Sequence, residues 1–235
     1  MSRCPVSAEE QAHLRDFWIG CGLSAGDWPG AIDRYARHRE LIEIHSAAAD
    51  LMGPGGTREF YLKHVADSLA VLKVYPRLLR GPVRVADVGC GAGLPGVVLA
   101  VALPELLLTA IESNHRKADF VAMAAAELGL AERVQVLPRR SREIAADPRY
   151  AHAFDVVTVR AVAPAEKAIR DCRRLIAPGG SAILYKTPGS VAGELPAARR
   201  LAEKHRLAVE ASEPLALPAG AGRRQFIRVI SPPGQ

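Results

Sequence analysis

Cysteine is scarce: Cys4, Cys21, Cys90 and Cys172 are the only four in 235 residues. None stands within metal-ligand spacing of another and they form no paired framework. That argues against a disulfide scaffold or a metal site and for reduced thiols in a cytosol. Each thiol is expected to act as a small buried apolar residue. Long apolar runs are missing too. The N-terminal string from Met1 to Trp18 is charged throughout and has no apolar core, so a signal peptide is not expected. The longest uncharged stretch, Val88 to Pro104, is interrupted by glycines and prolines, whereas a membrane span needs about 20 apolar residues in sustained helix. There is no internal repeat and no low-complexity tract. What remains is the composition of a folded globule, 49% hydrophobic and 24% charged. Its length suits one large domain, or one with an appendage, and buries enough surface to dispense with staples. A cytoplasmic protein without membrane attachment is expected.

Lysine is also rare. Of 31 basic residues six are Lys and 25 are Arg, and the net charge is +6. Arginine presents a planar fork of five donors that suits phosphate and stacks on bases. Clusters recur at Arg139, Arg140 and Arg142, at Arg170, Arg173 and Arg174, from Arg199 to Arg206, and at Arg223, Arg224 and Arg228. An anionic polymer is a natural partner for such a chain. Arginines spread over solvated helix faces are the competing explanation.

Residues 1–80 read as a helical extension. Leu14, Phe17, Trp18 and Cys21 form a helical stripe within Ala8–Cys21, Asp27-Trp28-Pro29-Gly30 a break, and Ile32, Tyr35, Leu41 and Ile44 a second helix. After a glycine-rich loop, Met52–Gly56, a third helix is expected from Thr57 to Tyr75, with Thr57 as its cap and Pro76 as its stop. Trp18 and Trp28 are assigned to the core rather than to base stacking. His64 and Asp67, three apart on the third helix, share a face and are expected to tie the helices to the rest.

Residues 81–235 read as alternating strands and helices. Strands are expected at 83–88, 106–111, 134–137, 154–159, 182–185, 207–213 and 225–230. Helices are expected at 96–103, 116–128, 165–176 (ended by Pro178-Gly179-Gly180) and 192–205. Such βα repeats imply an α/β fold, a mostly parallel seven-stranded sheet covered on both faces. No helix separates the last two strands, which points to an antiparallel edge strand.

The main chemical signal is Asp87-Val88-Gly89-Cys90-Gly91-Ala92-Gly93-Leu94-Pro95-Gly96, which follows a strand and opens a helix. Glycines there let the backbone turn tightly and approach a ligand. The next strand ends in Ile111-Glu112, where an acid is placed to accept both hydroxyls of a ribose. The spacing also fits a dinucleotide site. Asp87 argues against one, because a carboxylate repels a pyrophosphate but attracts a sulfonium and an ammonium. No separate substrate domain for hydride transfer is expected after the last strand.

The Asp87–Gly93 string resembles motif I of class I S-adenosylmethionine (SAM) methyltransferases, which have a Rossmann-like fold. Three further strings, Gly93-Leu94-Pro95-Gly96, His64-Val65-Ala66-Asp67-Ser68-Leu69 and Val159-Arg160-Ala161-Val162-Ala163-Pro164, narrow the resemblance. Over residues 35–230 the chain is similar to the bacterial 16S ribosomal RNA (guanine-N7) methyltransferases of the glucose-inhibited division protein B family. The resemblance implies SAM contacts at Gly89, Leu94, Ser141, Arg142 and Arg160, which join Asp87, Gly91 and Gly93 of the glycine loop and Glu112 after the next strand. It implies RNA contacts at Arg116, Lys117, Arg140 and Lys186. The chain departs from the family in three places. Arg142 stands where an acid is usual, with Glu143 beside it. Glu43-Ile44-His45-Ser46 replaces an Asn-Leu-Thr string, and Arg223-Arg224-Gln225-Phe226 replaces Glu-Arg-His.

Guanine N7 carries an in-plane lone pair and no proton, so it needs no general base. No catalytic residue in the strict sense and no metal is therefore expected. The work falls to orientation and water exclusion, for which good alignment supplies roughly 7–11 kcal/mol. The chain has neither an Asn-Pro-Pro-Tyr-type amino-methylation loop nor a Pro-Cys nucleophile. The expected partner is 16S ribosomal RNA or a small-subunit precursor, with the guanine presented unstacked; neither DNA nor an oligomer is expected. A small-metabolite methyltransferase, a NAD(P)-dependent oxidoreductase and a non-enzymatic RNA-binding protein of the same fold are the competing functions.

Overall fold

The computed structural model describes residues 6–53 and 56–234. Cys4 and the middle of the Met52–Gly56 loop lie outside them. Three helical segments come first. Helix α1 (Ala8–Gly20) starts at a capping box, in which the Ser7 hydroxyl accepts from the Glu10 amide and the Glu10 carboxylate accepts from the Ser7 amide. Helix α2 (Trp28–Ala49) begins earlier than the sequence suggests. Trp28-Pro29-Gly30 forms its first turn rather than a break, because proline near a helix start gives up only an amide that has no helical partner. The third segment is divided: Phe60–Val65 is a π-helical turn that passes into α3 (Ala66–Val74). Thr57 does not cap it. The wider turn buries Phe60, Tyr61 and Val65 together and leaves His64 half-exposed on the other side.

The sheet is built from β1 (Val83–Val88), β2 (Leu106–Ile111), β3 (Val134–Leu137), β4 (Phe154–Arg160), β5 (Ile176–Lys186), β6 (Ala208–Ala211), β7 (Leu215–Ala216) and β8 (Arg223–Ile230). Its order is β3-β2-β1-β4-β5-β8-β6, with the two-residue β7 paired to β8. Strands β1 to β5 are mutually parallel, and β8 is antiparallel to both β5 and β6. The reversed strand therefore lies one place in from the edge, with β6 outermost. The intervening helices are α4 (Gly96–Ala102), α5 (His115–Glu127), the single-turn α6 (Ser141–Ile144), α7 (Ala165–Cys172) and α8 (Pro188–Lys204). Helix α7 is shorter than its apolar pattern suggests. Leu175 and Ile176 are buried as the approach to β5, and Pro178-Gly179-Gly180 lies inside that strand.

Alternation along the strands feeds two cores. Val83, Val85 and Val156 face α1 to α5, whereas Ala86, Val88, Val157 and Val159 face α6 to α8. The N-terminal helices thus share a core with the sheet. Trp18 and Trp28 pack edge to face at 5.7 Å, and the Tyr35 hydroxyl donates to the Val98 carbonyl of α4 at 3.1 Å. Each such large side chain contributes about 1.5–3 kcal/mol by leaving water. Cys21, Cys90 and Cys172 are buried thiols. Among the described residues no helix is long and apolar enough to cross a membrane.

Candidate functional site

Strand order reverses between β1 and β4, since β1 is followed by β2 on one side and β4 lies on the other. The carboxyl ends of strands at such a point leave a crevice. Here it is a cleft of about 710 Å³. The glycine loop forms its floor. Gly89, Gly91 and Gly93 have φ of +71°, +53° and +83°. A Cβ at Gly91 would meet only the Gly89 carbonyl oxygen, at 3.9 Å, so its absence leaves the backbone bare to a ligand. The Gly89 amide donates to the Ile111 carbonyl at 2.8 Å, which ties the loop to the end of β2.

Glu112 follows β2 and is nearly buried in the cleft wall. Its Oε2 accepts from the Gly91 amide at 3.1 Å and its Oε1 from the Asn114 amide at 2.9 Å. A carboxylate has about four lone-pair positions, so two acceptor positions remain for the hydroxyls of a ribose. The bare glycine floor and this acid fit a nucleoside cofactor.

Asp87 takes a different place. It is fully buried beneath the loop, outside the cleft lining. Oδ2 accepts from the Gly96 amide at 2.8 Å and Oδ1 from the Thr158 hydroxyl at 2.9 Å. Asp87 and Thr158 are paired in register across β1 and β4, so both side chains leave the same face. A Cβ at Gly96 would collide with the carboxylate, and only glycine permits this approach. Burial pushes the Asp87 carboxyl up to about 6, against the lowering effect of its two hydrogen bonds.

Arg160, at the end of β4, lines the cleft, but its fork is turned toward the helices. Its Nε stands 3.1 Å from Asp67 Oδ2, one terminal nitrogen donates to Ser68 Oγ at 3.2 Å, and the other meets His64 Nδ1 at 2.6 Å. Asp67 also holds Arg224 of β8 through both carboxylate oxygens. His64 and Asp67 thus both hold Arg160, at one of the places where the N-terminal helices meet the sheet. Burial, then the neighbouring Arg160 cation, lowers His64 to about 4, so it is neutral at pH 7.

The remaining residues expected at the site divide. Leu94, Ser141, Arg142, Lys117 and Arg140 line the cleft. Gly93 shapes the loop from behind. Arg116 lies in a separate groove of about 650 Å³ with His45 and Phe120, because neighbours on a helix point about 100° apart. Lys186 is committed internally, 2.8 Å from both Glu194 Oε2 and the Ala163 carbonyl. Arg142 faces the cleft and Glu143 does not; Glu143 pairs with Arg139 instead. The carboxylate beside Arg142 comes from α7: Asp171 bonds both Arg142 and Lys167. Asp171 and Lys167 were hidden in the sequence, where an i,i+4 pair reads as an ordinary solvated face. Val162, 46% exposed at the cleft, and Leu51 and Met52 from the loop after α2 add an apolar border.

Known proteins resemble this chain in both sequence and fold. The family described as GidB, rRNA small subunit methyltransferase G, matches residues 32–226. A ribosomal RNA small subunit methyltransferase G of Solibacter usitatus is 38% identical over 195 residues, covering 83% of this chain and 88% of its own. Another, of a Synechococcus species, is 32% identical over 197 residues, covering 83% and 82%. Among solved structures, the O-methyltransferase TomG of Streptomyces achromogenes, in complex with SAM, has a TM-score of 0.56 at 19% identity, covering 85% of this chain and 89% of that one. A SAM-dependent methyltransferase of Aquifex aeolicus has a TM-score of 0.55 at 19% identity, covering 79% and 97%. The fold is that of class I SAM-dependent methyltransferases. With its glycine loop and acid at the strand ends of that fold, and with the sequence match extending over most of its length, the chain belongs to the GidB family, rRNA small subunit methyltransferase G.

Proposed function

We propose that this protein transfers a methyl group from SAM to N7 of a guanine in 16S ribosomal RNA. The observation that carries this reading is the composition of one cleft. Its floor is the bare glycine loop with Glu112, and its rim is cationic, with Lys117, Arg139, Arg140, Arg142 and Lys167. Family membership supports the same substrate class.

SAM, when bound, supplies a methyl group activated by a sulfonium. Gly89, Gly91 and Leu94 would hold it along the floor and Glu112 would take its ribose, with Ser141, Arg142 and Arg160 closing the sides. Arg140 makes no side-chain hydrogen bond or ion pair among the described residues and is free to take a phosphate. Leu51, Met52 and Val162 exclude water from the point of transfer. N7 attack requires no deprotonation, so this reading asks for no general base. Burial keeps the Cys90 thiol well above its ordinary range, and His64 Nδ1 is engaged by Arg160. Neither is poised as nucleophile or base.

The test is transfer of labelled methyl from SAM to small ribosomal subunits and to free 16S RNA, both from cells lacking the enzyme. Incorporation into either supports the reading. Incorporation into neither, with transfer to a small RNA-free acceptor, overturns it.

A further inference from the structure

One buried histidine lies outside the cleft lining. His38, in the middle of α2, is fully buried. Its Nε2 lies 2.8 Å from the Ala92 carbonyl of the glycine loop. A carbonyl can only accept, so Nε2 carries the proton and Nδ1 is left as the acceptor. Nδ1 is buried and has no partner among the described residues. The ring is held from two more sides: Phe120 of α5 stacks on it at 6.4 Å, and Phe60 of the π-helical turn meets it edge-on at 5.7 Å.

The bond to Ala92 completes a clamp on one peptide unit. The carbonyl of the Ala92–Gly93 peptide is held by His38, and its amide, that of Gly93, donates to the Cys90 carbonyl at 2.7 Å. The two ends of a planar peptide point in opposite directions, so fixing both fixes its plane. Gly93 has φ of +83°, a region glycine enters without steric penalty and also leaves easily. Gly91 and Leu94, on the cleft floor, flank this unit. An apolar side chain at position 38 would fill the same space without a buried, unpaired nitrogen.

We propose that His38 is a positioning residue for SAM binding: it locks the Ala92–Gly93 peptide and so presets the glycine loop in its cofactor-binding shape. The proposal rests on the reading of the cleft as the SAM site. It assigns His38 no contact with SAM or guanine.

The test uses the full-length protein with His38→Leu and His38→Gln. Leucine fills the space without a donor, whereas the glutamine amide nitrogen can occupy the position of Nε2 and donate to Ala92. His38→Leu is expected to raise Kd and KM for SAM about tenfold, the worth of one hydrogen bond. Saturating kcat should stay within about twofold of wild type, since the loss is in uniform binding. Amide exchange at residues 89–94 should quicken while the apo thermal midpoint changes little. His38→Gln should restore both the affinity and the slow exchange. SAM affinity unchanged in His38→Leu overturns the proposal, as does a folded His38→Gln that binds SAM as weakly as the leucine variant. If His38→Leu does not fold, His38→Gln decides alone: wild-type affinity supports the clamp, and weakened affinity or failure to fold overturns it. Wild-type protein that binds no SAM would refute the cofactor reading itself, and the clamp with it.

Discussion

Asp67 and Arg160 meet at 3.1 Å where the first turn of α3 touches the end of β4, and the same carboxylate also holds Arg224. One acid, 1% exposed, thus balances two arginines that are themselves only 13% and 17% exposed. The partner of a cleft arginine is therefore a residue of the N-terminal helices, so the cleft wall and the docking of those helices share a charged group.

Removing that acid strands two cations. Asp67→Asn should destabilise the protein by about 3–5 kcal/mol, the usual cost of breaking a buried pair from one side. Arg160→Ala leaves Asp67 bonded to Arg224 and should cost less, about 1–3 kcal/mol. Urea unfolding of both variants without ligand measures the order. Equal, small losses would mean that the cluster is solvated and holds nothing.

Two buried groups, His38 and Asp87, and the half-exposed His64 contribute to the acid dependence of stability, with opposite signs. His38 and His64 are held near 4 by burial, below the unfolded value of about 6.5. Their contribution is present above pH 6.5 and is lost as pH falls toward 4. Asp87 is raised to about 6, so the folded state holds its proton more tightly. Its contribution is present below the unfolded value of about 4 and is lost as pH rises through 6. Each group alone gives a slope of at most about 1.4 kcal/mol per pH unit. Two against one leaves a net loss of stability on acidification between pH 6 and 4. Asp87→Asn should steepen that loss, because its amide can still serve Gly96 and Thr158. His38→Gln should flatten it. Stability curves from pH 4 to 7 check both; a shallower curve for Asp87→Asn contradicts the assignment.

The rim predicts which cations matter for RNA. Arg140→Ala should reduce the salt dependence of RNA binding by about 0.7 in log K per log unit of salt, one phosphate contact on single-stranded RNA. Lys186→Ala should leave that slope alone and lower stability instead, because Lys186 is bonded to Glu194 and Ala163. Binding titrations from 50 to about 200 mM salt separate the two. A flattened slope for Lys186→Ala would place RNA beyond the cleft.

Much of the fold was legible because it is written locally. The alternation of Val83–Val88 and Leu106–Ile111, and the glycines after the first strand, locate two strands and the loop between sheet and helix. The boundaries that shifted did so where tertiary packing overrides local pattern: Leu175 and Ile176 extend an apolar helical stripe yet are buried on the way into β5. Side-chain direction was the harder part. Asp87 follows the pleat to the face opposite Val88, and pairing with Thr158 across β4 buries it. The Arg160 fork is aimed by Asp67, distant in sequence, and no periodicity reports such a partner. His38 sits among apolar positions of α2, and nothing in that pattern marks it out.

The central claim, methyl transfer to guanine N7 in 16S ribosomal RNA, is met most directly by chemical mapping. N7-methylguanosine is opened by borohydride, and aniline then cleaves the strand at that nucleotide. Small subunits from cells lacking the enzyme are incubated with the purified protein and SAM, and their 16S RNA is then treated. The account predicts one new cleavage, dependent on SAM and lost with Glu112→Ala at low SAM. Methyl incorporation without N7-specific cleavage, or cleavage that persists without SAM, would contradict it.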